Sequence, residues 1–268
     1  MTNINLLFTC PHGGKKDGTT DNPPLQPPLI ERDPDHFKDD KCPAKEGQGY
    51  KFKIDASTIE LTESIIENIK RLSQGRVPYK QIAHYDRRFI DFNRNEVCSY
   101  EVSSPTAETK YKQYHDGIRH KIVEMLPQGS SGKAFLFDIH GTDDEKDPNG
   151  NFMEIIIGTD HGRSRKGLTD DEYWGTHGSN TKSLYDLLGE KNIRAYPPNL
   201  VEEQKEDENH SSLDGGYTIK KYGTDENIPG LIAIQIEVVD FIRKKQYCRE
   251  NFAADLAECI LRFTEQFI

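Results

Sequence analysis

Two histidines occupy matching places in this chain. LLFTCPH ends on His12 and runs into Gly13-Gly14, and AFLFDIH ends on His140 and runs into Gly141. Catalytic zinc is commonly held by three side chains drawn from His, Asp and Glu, with a fourth position left for a water whose pKa falls to about 7. Glycine directly after a ligand lets backbone come close to it. A single histidine is more often structural, but two in equivalent positions favour a metal site. Two more apolar runs end on polar groups, FIDFNR at Arg94 and IAIQIE at Glu237. A guanidinium grips a carboxylate through two parallel hydrogen bonds, and the Asn93 amide beside it adds another donor. The plain alternative for this segment is an Asp91–Arg94 surface pair. A carboxylate closing a run of isoleucines is costly to bury unless it is paired, protonated or near a metal. A general base that takes a proton from an attacking water meets that requirement, which makes Glu237 the candidate catalytic group.

The third ligand must be a carboxylate or an imidazole, and Asp55, Asp17 and Asp138 are available. Asp138 lies two residues before His140, so on a strand both point to one face. There it would accept a hydrogen bond from the imidazole and stand behind the ligand. Asp55 reads first as a helix-start carboxylate that satisfies free N–H groups. GTDHG, Gly158–Gly162, follows an apolar run and brings Asp160 and His161 to the same rim, with His161 an alternative to His140. DGGYTIKKYG, Asp214–Gly223, has the glycine doublet and aromatics of a loop that closes over a ligand, and equally of a turn into a strand.

In open α/β sheets, ligands gather beyond the carboxyl ends of the strands, so strands must deliver these residues. Apolar runs predict strands at Asn5–Cys10, Arg88–Phe92, Ala134–Ile139, Met153–Ile157, near Ile193 and Arg194, and at Leu231–Val238. Ile59, Leu61, Ile65, Ile66, Ile69 and Leu72 recur at helical spacing until Gly75. Further helices are expected at about Thr106–Leu126 and Asn180–Leu188, and over a final segment whose apolar face is Phe252, Leu256, Cys259, Ile260, Phe263 and Phe267. Such alternation predicts an α/β sheet with helices on both faces, and 268 residues fit a single domain over 1–268. Residues 11–51, crowded with Gly, Pro, Asp and Lys, exceed the length of a simple connection of about 15 residues and read as a flexible flap. The acidic run VEEQKEDENH, Val201–His210, reads as solvated loop.

A net charge of −10 speaks against nonspecific binding to nucleic acid or anionic membrane. An acidic small-molecule substrate would need a local arginine or a metal. The N-terminus lacks the basic segment and apolar core of a secretory leader, and no apolar run approaches the roughly 18 residues of a membrane helix. A cytoplasmic protein is expected. The five cysteines are scattered without a CxxC pair and read as reduced thiols, with Cys10 and Cys259 as packing residues.

Taken in order, PHGG, Asp55-x-x-Thr58, RFIDFNR, Tyr114-His115, LFDIHG, IGTDHG, GGYTIKKYG and IQIE resemble the N-formylglutamate amidohydrolase family, over His12 to Glu237. The resemblance implies a three-layer α/β/α fold with a central mixed sheet, related to the zinc carboxypeptidases. It implies a zinc-dependent hydrolase, one Zn2+ per chain, that cleaves the C–N amide bond of an N-acylated amino acid. It further implies His12, Asp55 and His140 as metal ligands, raising Asp55 above its helix-start reading, and Glu237 as the catalytic carboxylate. Asn93 and Arg94 match the carboxylate-binding pair, and Gly215, Gly216 and Tyr217 match the substrate loop. Gly141 stands where the family usually has serine. Two other readings are a carboxypeptidase-like or γ-glutamyl peptide hydrolase and a non-catalytic binding protein on the same scaffold.

Overall fold

A computed structural model describes residues 3–33, 53–128, 131–147, 149–174, 182–197 and 215–268. Its centre is a six-stranded sheet. The strands are β1 (Asn3–Cys10), β2 (Val77–Ile82), β3 (Ala134–Thr142), β4 (Ile155–Gly158), β5 (Ala195–Tyr196) and β6 (Leu231–Val239). Their order is β2-β1-β3-β6-β4-β5; β2, β1, β3 and β6 run parallel, β4 is antiparallel to β6, and β5 runs parallel to β4. The sheet is therefore mixed. Strands β1, β3 and β6 are nearly continuous apolar runs because helices cover them on both faces.

On one face, Leu6, Phe8, Phe135, Phe137, Ile232, Ile234 and Ile236 pack against α1 (Thr58–Leu72) and α6 (Gln246–Thr264). Alternate residues Leu7, Ala134, Leu136, Leu231 and Ala233 face α2 (Pro105–Met125), which buries Tyr111, Tyr114, Ile118 and Ile122. Proline at the start of α2 suits a position whose N–H would have no helical partner. Full burial of each such aliphatic side chain contributes on the order of 1.5–3 kcal/mol. Two short helices, α3 (Asp170–Trp174) and α4 (Leu184–Glu190), complete the α1 side; Ser183 and Asp186 close a reciprocal cap at the start of α4. Helix α5 (Asp240–Lys244) follows β6 directly.

Several expectations are corrected. Arg88–Phe92 forms no strand. Asp86 turns the chain, taking Arg88 N–H on its side chain and the Phe89 and Ile90 N–H groups on its carbonyl. The apolar run is buried for another reason: Ile90 and Phe92 enter the α2-side core around Asp91. The strand that pairs with β1 is Val77–Ile82, whose Pro78 and exposed Lys80 hide it from a reading by hydrophobicity. In the 11–51 stretch, residues 11–33 lie against the body rather than forming a flap. Leu29 is in the core, Pro27 accepts from Thr106 Oγ1, and Lys16 bridges to Tyr85. Residues 34–51 of that stretch, Asn180, the Val201–His210 run and Asp214 lie outside the described residues. Cys98 is disulfide-bonded, which corrects its reduced-thiol reading; Cys10, Cys248 and Cys259 are free thiols, and Cys42 lies outside the described residues. Cysteines distant in sequence pair wherever the fold brings them together, and spacing does not forecast it. No helix among the described residues is long and apolar enough to cross a membrane.

His115 on α2 is a buried neutral imidazole. The Tyr222 hydroxyl donates to the His115 carbonyl at 3.1 Å and lies 3.0 Å from its Nδ1, which makes Nδ1–H the donor between them. Burial, reinforced by the Lys221 charge, lowers its pKa to about 3. A depressed folded pKa means that the unfolded chain binds the proton more readily, so stability is intact above about pH 6.5 and falls as pH drops toward about 3. The expected slope is up to about 1.4 kcal/mol per pH unit in that window. Denaturant titrations of wild type and His115→Gln at pH 7, 6 and 5 should show the acid sensitivity flattened in the variant; parallel losses in both would refute the assignment.

Candidate metal centre and active site

The parallel strands change character partway along their α2-side positions. In β3, Ala134 and Leu136 give way to Asp138 and His140; in β6, Leu231 and Ala233 give way to Gln235 and Glu237; in β1, Leu7 gives way to Thr9. Register places Thr9 beside Asp138, Asp138 beside Gln235 and His140 beside Glu237. His12 enters from the turn just after β1. Asp55 is drawn to it through its own backbone, Asp55 N–H donating to the His12 carbonyl at 3.0 Å.

The helix-start reading of Asp55 does not hold for its side chain. Ser57 precedes the first turn of α1, and it is the Asp55 carbonyl that accepts from Thr58. Asp55 Oδ2 instead lies 3.4 Å from His12 Nδ1 and 3.5 Å from His140 Nδ1, and takes the Gly141 N–H at 3.1 Å. All three potential ligand atoms lie within 4.8 Å of one another. A tetrahedral ion with ligands at 2.0–2.1 Å would set neighbouring ligand atoms about 3.4 Å apart, so the spacing fits a four-coordinate site.

Each imidazole is held from behind by a buried carboxylate. His12 Nε2 meets Asp91 Oδ1 at 2.7 Å, and His140 Nε2 meets Asp138 Oδ2 at 2.9 Å. Those contacts assign the ring protons to Nε2 and turn both Nδ1 lone pairs toward Asp55, the carboxylate–histidine arrangement found behind bound metals. Asp138, fully buried, also accepts from Thr9 Oγ1 at 2.5 Å. Two lone pairs and an anion facing one another call for a cation between them. The electrostatics express the same demand: although burial opposes charging, Asp138 and Glu237 hold His140 well above the usual histidine range, so its Nδ1 carries a proton toward Asp55 unless a metal ion takes that place. Burial likewise raises Asp55, but hydrogen bonds and charge from His12 and His140 outweigh it and leave the carboxyl low.

Asp91 is the residue that sequence reasoning missed. It is 1% exposed, accepts from Arg87 Nε at 2.8 Å and Asn93 N–H at 3.1 Å, and has Arg94 Nε at 3.7 Å and Arg32 Nη2 at 3.8 Å. Burial pushes its carboxyl up, but Arg87, His12 and Arg32 together hold it well below the carboxylate range. The Asp91–Arg94 pair thus exists, though Asp91 is no surface residue.

The other candidates fall into three places. Glu237, buried, receives the Gln235 amide at 3.0 Å and sits 4.0 Å from His140 Nδ1. Asn93 is turned inward, its amide nitrogen 3.3 Å from His140 Nε2 and its oxygen accepting Thr218 N–H at 2.9 Å. Gly216 crosses directly over that amide, where a Cβ would stand 2.1 Å from Asn93 Nδ2, and its N–H donates to Gln235 at 2.5 Å. Gly215, at φ +80, and half-buried Tyr217 complete the segment laid over the polar end of β6. Asp17 is exposed and occupied by Thr19, His161 is exposed, and Asp160 is held by Arg163; none joins the His12–Asp55–His140 group. Gln235 was legible, since IAIQIE places it two residues before Glu237 on the same face.

No protein-family model matches the chain, and no curated protein matches it in sequence. Solved structures do. N-formylglutamate amidohydrolase from Ralstonia eutropha superposes with a TM-score of 0.56 at 14% identity, covering 100% of this chain and 95% of that chain. A gene product of Agrobacterium tumefaciens gives 0.54 at 13% identity, covering 99% of this chain and 92% of that one. The chain has the fold of an N-formylglutamate amidohydrolase. On that fold, Gly141 has a local cause: a Cβ there would lie 2.2 Å from Arg243 Cζ.

If Asp91 fixes His12 as a ligand, Asp91→Asn should lower stability, because buried Arg87 and Arg32 lose their carboxylate, and in the folded protein should weaken metal binding about 10- to 100-fold, the usual effect of losing such a supporting carboxylate. Chelator competition measures it, and unchanged affinity would refute the role.

Proposed function

We propose that the chain is a zinc-dependent amidohydrolase that cleaves the C–N amide bond of a small acidic N-acylated amino acid. The observation that carries the reading is the meeting of His12, Asp55 and His140 with ligand-like spacing, Glu237 adjoining them on the next strand. The amidohydrolase named among the similar folds is consistent with it.

His12 Nδ1, His140 Nδ1 and one Asp55 oxygen would hold the ion. Zinc, when bound, polarises a substrate carbonyl and makes water acidic enough to attack it near neutral pH. The chain's own residues divide the remaining work. Glu237, oriented by the Gln235 amide, accepts the proton of the attacking water and returns it to the leaving nitrogen. Asp91 and Asp138 keep the imidazole protons on Nε2 and the rings fixed. Arg94 has a side chain 37% exposed on the rim, where it anchors the substrate carboxylate and aligns the scissile amide. Gly215 and Gly216 give close backbone approach over the substrate side.

Glu237→Gln should retain zinc and lose about 10²- to 10⁴-fold in kcat, the range for removal of a positioned general base. Full activity with zinc bound would sink the mechanism. For the anchor, Arg94→Met should raise KM for an N-acyl amino acid while leaving hydrolysis of the matching amide without a carboxylate nearly unchanged. Equal losses on both substrates would remove Arg94 from substrate binding.

A further inference from the structure

Beyond the two ligand-supporting carboxylates, one buried cation ties the whole centre together. Arg243, on α5, has a side chain 3% exposed. Its Nε donates to the Val238 carbonyl at 2.6 Å, its Nη1 to the Ala56 carbonyl, and its Nη2 to the Thr142 carbonyl at 2.8 Å and to Asp240 at 2.5 Å. Each carbonyl belongs to a segment that carries a site residue. Ala56 follows Asp55, Val238 follows Glu237, and Thr142 is two residues beyond His140. These segments are distant in sequence, and β3 and β6 both end where the guanidinium lies.

Gly141 is the counterpart of this arrangement. Its N–H binds Asp55 Oδ2 at 3.1 Å, while a Cβ would fall 2.2 Å from Arg243 Cζ and 2.5 Å from Nε and Nη1. The guanidinium lies directly over the one residue that links His140 to Thr142 and also touches Asp55. A planar fork of five N–H donors reaches separated carbonyls that a lysine ammonium, with three donors on one atom, does not.

We propose that Arg243 is a positioning residue for the metal centre, setting the mutual placement of Asp55, His140 and Glu237 through their backbones, with Gly141 as the companion glycine its plane requires. The proposal rests on the zinc reading of the site.

The test compares wild type, Arg243→Lys, Arg243→Met, Gly141→Ala and a control, Leu188→Ala, which empties part of the α1-side core far along the chain from the site. Zinc affinity is measured by chelator competition, the cobalt(II)-loaded proteins give visible absorption spectra, and thermal melts report folding. Arg243→Lys and Gly141→Ala should bind zinc about 10- to 100-fold more weakly and shift the cobalt bands, because ligand placement has changed. Leu188→Ala should lower Tm yet keep wild-type affinity and spectrum. Adding Gly141→Ala to Arg243→Met should cost less than the two separate losses combined, since both act on one contact. Should Arg243→Met fail to fold, the lysine and alanine variants decide the matter. Wild-type affinity and spectra in both overturn the proposal while leaving the zinc reading standing; a wild-type chain that holds no zinc overturns both.

Discussion

The constraint on which this structure depends is buried negative charge. Asp55, Asp91, Asp138 and Glu237 converge on two imidazoles, and none of the four is more than slightly exposed. A buried carboxylate without compensation is strongly destabilising, so everything around it must supply hydrogen or positive charge. Arg87 and Arg32 are buried behind Asp91 for that reason, Thr9 closes on Asp138, and Gln235 closes on Glu237. At the centre of these groups His12 Nδ1 and His140 Nδ1 face Asp55 Oδ2, and the two imidazoles hold the Asp55 carboxyl low. This gathering of carboxylates and imidazoles is what fits the site to hold a metal ion.

Side-chain alternation on three parallel strands makes this possible without breaking the core. On the α1 and α6 side, β1, β3 and β6 stay apolar through most of their lengths, while on the α2 side they turn polar near their carboxyl ends. One face gives the stability that lets the other carry buried polar groups. Strand register then does the alignment, setting His140 opposite Glu237 and Asp138 opposite Gln235. A slip of one residue in either strand would send its two polar side chains into the apolar layer, so the site and the sheet are specified together.

Most of this was legible where the signal was local. The strand-end positions of His12, His140 and Glu237, the pairing of Asp138 with His140, and the helix of Ile65 and Ile69 follow from periods of two and of 3.6. The role of Asp55 did not follow, because an aspartate before a helix has a sufficient local explanation, and only the fold shows its carboxylate turned away from the helix. Asp91 was concealed inside an apolar run that mimics a strand. Arg32, Arg87 and Arg243 had no signal at all: an arginine in sequence carries no mark of which distant carbonyl or carboxylate it will reach. The edge strand β2 was lost because Pro78 and Lys80 interrupt its pattern, although both are acceptable at an edge.

That edge carries a further consequence. A sheet whose inner strands read AFLFDI and LIAIQI is made of segments with a strong tendency to stack with copies of themselves when exposed. Among the described residues, the sheet is bounded on one side by β2, with Pro78 and exposed Lys80, and on the other by β5, only two residues long. Neither offers a long apolar row of free backbone groups on which another chain could template. The outer strands thus act as guards against fibrous self-association, allowing the inner ones to be as apolar as a sheet covered on both faces demands.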